Sequence, residues 1–340
     1  MEIKELKIEG FKSIGSITLK NPNPFSVFVG ANASGKSNIF EALEFLELCN
    51  IMIPYEAVKY FGNFDEILNQ VNPIDNIRVF IDLGEIIPQL NISISTASSA
   101  YLGGYYKSKI APISIPNDAE TAKIYAFIEN SNYLHFSNFT RLFVENNKLV
   151  KRQLQDDSRL NLDAGNLEKV LKRILKNEKK KEEIVEILQL LIPGIKDIDI
   201  KTEELSGSDN LLVYEDSLKK PLTKRLISDG TYNIIAIVTA LYQSEEPQFL
   251  CIEEPENGLN PKVVRELVNI IRNICKEKGH YIWLNTHSQT LVSELTTEEI
   301  ILVDKKNGLT QVKQIKGMDL HGLKMDEALL TNSLGGGIPW

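Results

Sequence analysis

Residues 25–37 read FSVFVGANASGKS, and the fold turns on this stretch. Phe25 to Val29 have the length and apolar character of a buried strand, and they run directly into a glycine-bearing loop. From Ser37 the pattern NIFEALEFLEL places Ile39, Leu43 and Leu46 on one helical face, so the loop joins a strand to a helix. GANASGKS, from Gly30 to Ser37, matches GxxxxGK[ST] at every fixed position and in the strand–loop–helix context that pattern requires. In such a loop the glycines let backbone N–H groups wrap phosphates. Lys36 reaches the β- and γ-phosphates of ATP, Ser37 ligates Mg2+, and the new helix presents its positive end. The nucleotide-binding candidates are Gly30, Asn32, Ala33, Ser34, Gly35, Lys36, Ser37 and the adjoining Asn38, with Lys36 also a catalytic candidate.

A phosphate loop alone does not separate a kinase, a GTPase and an ABC ATPase, so a second acidic segment is needed. Residues 249–261 read FLCIEEPENGLNP. The apolar strand Phe249 to Ile252 delivers Glu253 to its C-terminal end, where a carboxylate can hold Mg2+ directly or through water. Glu254 follows at once. Adjacent carboxylates repel, and solvation sends most such pairs to surface loops; here a divalent ion would offset the repulsion. Glu253 is therefore assigned to the metal and Glu254 to positioning and polarising the attacking water, a task that needs a carboxylate free of the ion.

With these residues in place, the chain resembles the ABC-type ATPases of the RecF, SMC and OLD group, especially the compact AAA-21-like heads of bacterial defence systems. Four further segments carry the resemblance. IEGFKSI at 8–14 is similar to the group's first strand and turn, in which Lys12 and Ser13 would approach the nucleotide. LISDGT at 226–231 resembles the signature sequence, with Ser228, Asp229 and Gly230 as nucleotide-binding candidates. ENGLNP after the acidic pair resembles the D-loop, and LNTHSQ at 284–289 resembles the switch segment, with His287 as a catalytic candidate. Ser228 and the Gly230 amide would bind the γ-phosphate of the opposite subunit, whereas His287 would bond the γ-phosphate and report its loss.

The sequence also departs from the broader pattern. Glu253 stands where Asp is commoner, Asp229 replaces the first glycine of the signature, and Asn260 stands where the group often has His or Asp. The glutamine that couples nucleotide to lobe movement has no clear position. Gln70, in FDEILNQ, is a candidate, and an ordinary surface glutamine is the plainer reading.

The remaining elements extend an α/β alternation. Strands are expected at Ile3 to Ile8, Ile14 to Leu19, Arg78 to Leu83, Gln89 to Ser95 and Lys123 to Glu129, with a Gly- and Pro-bearing segment at Tyr101 to Asn117. Asn166 to Leu191 reads as one long amphipathic helix stopped by Pro193-Gly194, and its EKKKEE run reads as a solvated face. Strands follow near Ile195 to Lys201 and Leu211 to Tyr214. Beyond them come helices Gly230 to Tyr242, Lys262 to Lys276 and Gln289 to Leu295, and strands Gln248 to Glu253, Tyr281 to Asn285 and Ile300 to Val303.

The expected class is an α/β, ABC-type P-loop NTPase head with a mostly parallel sheet, an N-terminal antiparallel β part and an inserted helical and β lobe. Residues 1–95 and 205–340 would form the composite head and 96–204 the lobe. No internal repeat and no heptad run of coiled-coil length is present. The Gly335 to Trp340 end, apolar and glycine-rich, either docks into a partner or frays.

Composition narrows the partners. The 340 residues are 43% hydrophobic and 25% charged, ordinary values for a globular chain. A formal charge of -8 argues against coating nucleic acid through a broad basic face. Three cysteines without metal-ligand spacing fit a reducing cytoplasm, and no signal-peptide or membrane-spanning run is visible. The resemblance implies a homodimer or higher homo-oligomer joined through ATPase heads. It also implies a separately encoded effector, a Toprim- or HNH-type nuclease or a toxin, through which DNA would be reached. RecF-like direct DNA binding in repair is the main alternative, and an ABC transporter subunit is a third.

Overall fold

In the N-terminal residues the apolar positions alternate, and the fold uses that alternation directly. Leu6 and Ile8 of β1 (Glu5–Phe11) and Ile17 and Leu19 of β2 (Ile14–Lys20) are buried, with partly or fully exposed residues between them. The computed structural model describes residues 2–51, 54–72, 76–82, 90–95, 125–129, 139–142, 158–320 and 322–331. They divide into two compact units, Met1–Phe139 with Thr296–Trp340, and Thr140–Leu295.

In the first unit β1 and β2 form an antiparallel hairpin. β3 (Phe25–Val29) is buried at every residue, as its unbroken apolar character requires. It leads into α1 (Lys36–Ile51), then α2 (Pro54–Tyr60) and α3 (Phe64–Ile67). β4 (Asn76–Asp82), β5 (Leu90–Ser95) and β6 (Tyr125–Glu129) complete an antiparallel sheet of order β2-β1-β4-β5-β6. Phe11, Phe45 and Phe61 meet with ring centroids 5.7–6.1 Å apart and fasten α1 to β1. Each such buried ring contributes about 1.5–3 kcal/mol.

The second unit contains β7 (Phe139–Leu142) from Thr140 onward, α4 (Leu167–Ile174) and α5 (Glu178–Leu191). The single helix expected over 166–191 is thus two. Buried residues Leu167, Val170, Leu171 and Ile174 line α4, and Ile184, Leu188 and Leu191 line α5. Between them the apolar stripe lapses for two turns, so a continuous helix would gain no packing there. Instead Asn177 caps α5, its side chain accepting from Lys180 N at 3.2 Å. β8 (Ile195–Thr202), β9 (Asp209–Glu215) and β10 (Leu222–Thr223) form an antiparallel sheet. α6 (Asp229–Tyr242) is buried around its whole circumference from Tyr232 to Tyr242. β11 (Phe249–Glu253) then pairs in parallel with β12 (Tyr281–Thr286) across α7 (Pro261–Lys278), with β7 on the other side of β11. α8 (Gln289–Val292) is shorter than the helix expected to Leu295.

The chain returns to the first unit with β13 (Ile300–Lys306), parallel to β3, and β14 (Leu309–Gln314), antiparallel to β13, and then α9 (Met325–Leu330). Asn307 and Gly308 both have positive φ, 51° and 81°, the signature of the two-residue turn that matches strand twist. β14 was not anticipated, although its Asn-Gly turn is written in the sequence. Among the described residues no helix is long and apolar enough to cross a membrane. Tyr101 to Asn117 and Gly335 to Trp340 lie outside the described residues.

Candidate active site

The phosphate loop belongs to the first unit. β3 pairs with β13 through Val27–Ile300 to Val29–Leu302, which brings the Val303 carbonyl against Gly30, where a Cβ would overlap its oxygen. Gly35 has φ 103°, and a Cβ there would overlap the Thr310 hydroxyl. Ala33 also adopts a left-handed conformation, φ 62°. The glycines are therefore required by backbone approach and by φ. Lys36 is buried, and its ammonium donates to the carbonyls of Gly30 at 2.7 Å and Ala31 at 2.9 Å. Ser37 and Asn38 follow in the first turn of α1 and are half-buried, whereas Asn32 and Ala33 are exposed.

A directional chain of hydrogen bonds braces the loop. Asn38 Nδ2 donates to Ser13 Oγ at 2.6 Å, and Ser13 Oγ lies 2.6 Å from Thr310 Oγ1, which donates to the Ser34 carbonyl at 3.0 Å. Because the Thr310 proton goes to Ser34, Ser13 donates to Thr310. Ser13 thus reaches the loop through Asn38 and Thr310, and Thr310 ties β14 to it. Lys12 points its ammonium to Glu41 of α1, over the Phe11 and Phe61 rings at 5.8 and 5.6 Å. Gln70 is exposed and donates to the Asp65 carbonyl at 2.7 Å.

The acidic pair belongs to the second unit. Glu253 ends the buried strand β11 opposite Asn285 of β12. Asn285 holds both carboxylate residues: its Nδ2 donates to Glu253 Oε2 at 3.1 Å, and its Oδ1 accepts from Glu254 N at 3.0 Å. Glu253 Oε1 is paired with the guanidinium of Arg141, a residue of β7. Glu254 sits at φ 46°, a left-handed conformation that costs a non-glycine residue about 1 kcal/mol or more. That kink turns its side chain away from that of Glu253. Its Oε2 accepts from Asn257 Nδ2 at 3.0 Å, and its Oε1 lies 3.4 Å from His287 Nδ1. Burial raises the pKa of nearby Glu256, against the lowering effect of the Thr286 hydroxyl bonded to it.

The signature segment lies in the same unit. Ser228 caps α6, its Oγ accepting from Thr231 N at 3.1 Å, with Asp229 in the first turn beside the positive helix end. Gly230 packs on Gly258, where a Cβ would overlap the Gly258 carbonyl, and Asn233 Nδ2 donates to the Asn257 carbonyl at 3.0 Å. The start of α6 is thereby locked to the 255–259 turn. Asn260, the departure noted in the sequence, caps α7 through Val263 N at 3.1 Å.

The loop residues of the first unit fit a phosphate, and the acidic pair of the second fits a hard divalent ion. The buried Ser34 Oγ has no hydrogen-bond partner among the described residues, and a phosphate oxygen would supply an acceptor. No group of three or more His, Cys, Asp or Glu side chains suited to a metal is found among the described residues. Mg2+ does not need one, since it takes one or two protein oxygens together with phosphates and water. Ser37 and Glu253 are oxygen donors of that kind. The sequence located the loop, the acidic pair and His287. It did not reveal Thr310, Asn285 or Arg141, whose roles arise from pairings between distant segments.

Residues 25–293 match the AAA_21 family, described as an AAA domain, putative AbiEii toxin, type IV TA system. A putative ABC transporter ATP-binding protein of Pyrococcus abyssi is 36% identical over 78 residues, 23% of this chain and 29% of that protein. The DNA replication and repair protein RecF of Streptococcus uberis is 26% identical over 133 residues, 36% of this chain and 34% of that protein. The chain thus spans about a third of the length of these relatives. A crystal structure of the Smc head domain with an extended coiled coil, bound to the C-terminal domain of ScpA and derived from Pyrococcus furiosus, superposes with a TM-score of 0.56. It is 14% identical and covers 98% of this chain and 99% of that one, a likeness of fold. With its phosphate loop, acidic strand and parallel strand pairs, the chain belongs to the AAA_21 family and has the fold of an SMC head.

Proposed function

We propose that the protein hydrolyses ATP at the junction of two paired heads and uses that cycle to gate a separately encoded effector. The orientation of Glu253 and Glu254 by the one side chain of Asn285 carries this reading, because it separates a metal-binding carboxylate from a water-activating one. Lys36 and the loop amides bind the β- and γ-phosphates, Ser37 and Glu253 hold Mg2+, and Glu254 accepts the proton of the attacking water. Bound Mg2+ supplies neutralisation of phosphate charge. His287, beside Glu254, bonds the γ-phosphate, and Lys12 and Ser13 border the nucleotide. Ser228, Asp229 and the Gly230 amide of a second copy close the site.

As to biological use, we favour the ATPase sensor of a bacterial antiphage system, working in the cytoplasm on a nuclease or toxin partner. The toxin–antitoxin description of the family and the charge of -8 support it. The RecF likeness favours a second reading, a repair ATPase that binds DNA directly. An ABC transporter subunit is a third, carried by the name of the Pyrococcus abyssi relative.

Glu254→Gln tests the mechanism. Turnover is expected to fall by roughly 10²-fold or more while ATP binding persists and light scattering shows an ATP-dependent dimer. Undiminished ATPase activity in that variant would refute the role. Salt-sensitive DNA binding by the purified chain alone would shift the biological reading to repair.

A further inference from the structure

Arg141 lies on β7, the neighbour of β11, and its guanidinium Nε and Nη2 both engage Oε1 of Glu253. Both side chains are nearly inaccessible, at 8% and 6%. The other oxygen, Oε2, takes the Asn285 amide. A buried carboxylate without counter-charge is costly, and arginine does not lose its proton, so the pair supplies Glu253 with the charge that its burial requires. Sequence separation hides it, because the partners stand 112 positions apart.

A hard divalent ion needs carboxylate oxygen at about 2 Å, within the space that the guanidinium now fills at Oε1. Two cations cannot share that oxygen without repulsion. Resting on the assignment of Glu253 to Mg2+, we infer that Arg141 is a positioning residue that stands in for the divalent ion. It fixes the Glu253 carboxylate before the ion arrives and competes with the ion for Oε1. On that reading the guanidinium would leave Oε1 when Glu253 holds a divalent ion. The fork-shaped arginine is suited to holding the carboxylate in one orientation, which a compact lysine ammonium does less well.

The test uses the full chain with a non-hydrolysable ATP analogue, Mn2+ as the probe and electron paramagnetic resonance to count bound ion. Arg141→Gln removes the charge and keeps a donor of similar reach. Mn2+ is expected to bind this variant about 10-fold tighter than wild type, since a charge-assisted competitor is gone. Without Mn2+ the variant should melt at a lower temperature than wild type, and saturating Mn2+ with analogue should narrow that gap. Should Arg141→Gln fail to fold, Arg141→Lys replaces it, with Mn2+ affinity expected above wild type by a smaller factor. Equal or weaker Mn2+ binding in whichever variant folds, with analogue binding in chelator unchanged, overturns the competition. If wild type shows no analogue-dependent Mn2+ binding at all, the assignment of Glu253 falls and this inference falls with it.

Discussion

The Nδ1 atom of His287 lies 3.4 Å from Oε1 of Glu254, on the side of the carboxylate opposite its bond from Asn257. Glu254 is therefore held by an amide in the turn packed on α6, while the imidazole that follows β12 lies beside its other oxygen without a hydrogen bond to it. A carboxylate so held has few orientations left, which is what general-base work demands.

His287→Ala is expected to lower kcat by roughly 10²-fold with little change in KM if, as proposed, the histidine serves the reacting end of the nucleotide rather than its binding. Steady-state phosphate release measures both constants. A rise in KM at constant kcat would assign His287 to ground-state binding instead.

Thr310→Val keeps the shape of the side chain and deletes the hydroxyl that accepts from Ser13 and donates to Ser34. Loss of two buried hydrogen bonds should lower unfolding free energy by about 1–3 kcal/mol. The loosened loop should also weaken ATP binding. Urea denaturation and nucleotide titration read the two effects, and unchanged values in both would remove Thr310 from the site.

Much of the site was legible in the sequence, for reasons that differ by residue. GANASGKS is a local motif, and its spacing alone carries the loop. The Glu253-Glu254 pair was legible because an apolar strand announces where it ends. Thr310 was not, since it depends on the β13–β14 hairpin, whose Asn307-Gly308 turn was the available clue. Arg141 and Asn285 reach their partners across 112 and 32 residues, and no periodicity encodes such pairings. The break between α4 and α5 was visible only as a gap in the buried stripe between Ile174 and Ile184, with Asn177 inside it.

Gly230→Ala should be among the most damaging small substitutions in the second unit. A Cβ would overlap the Gly258 carbonyl, so either α6 or the 255–259 turn must shift. Overpacking of this kind costs about 1–3 kcal/mol. Because Asn257 bonds Glu254, ATPase activity should drop as well. Thermal melting and turnover together check this, and a variant as stable and active as wild type would contradict the close packing.

Acid should weaken the fold through His280. Burial is the main cause that lowers its pKa to about 4, with the Lys278 charge acting the same way, whereas the unfolded imidazole takes a proton near 6.5. Between these values the unfolded chain binds the extra proton, so stability falls as pH drops from about 7 towards 4. The contribution of this group reaches about 3 kcal/mol. His280→Asn retains an acceptor for Gln248 N, which lies 3.4 Å from Nδ1. Urea titrations across this range should show a shallower pH slope in the variant, and identical slopes would exclude His280 as the cause.

Lys36 is already engaged before any anion arrives, its ammonium seated on the Gly30 and Ala31 carbonyls. A phosphate that binds there must win the ammonium from two backbone carbonyls. Capture of nucleotide then becomes an exchange of partners by one side chain, fast to make and fast to undo, as suits a switch that must sample its fuel continually.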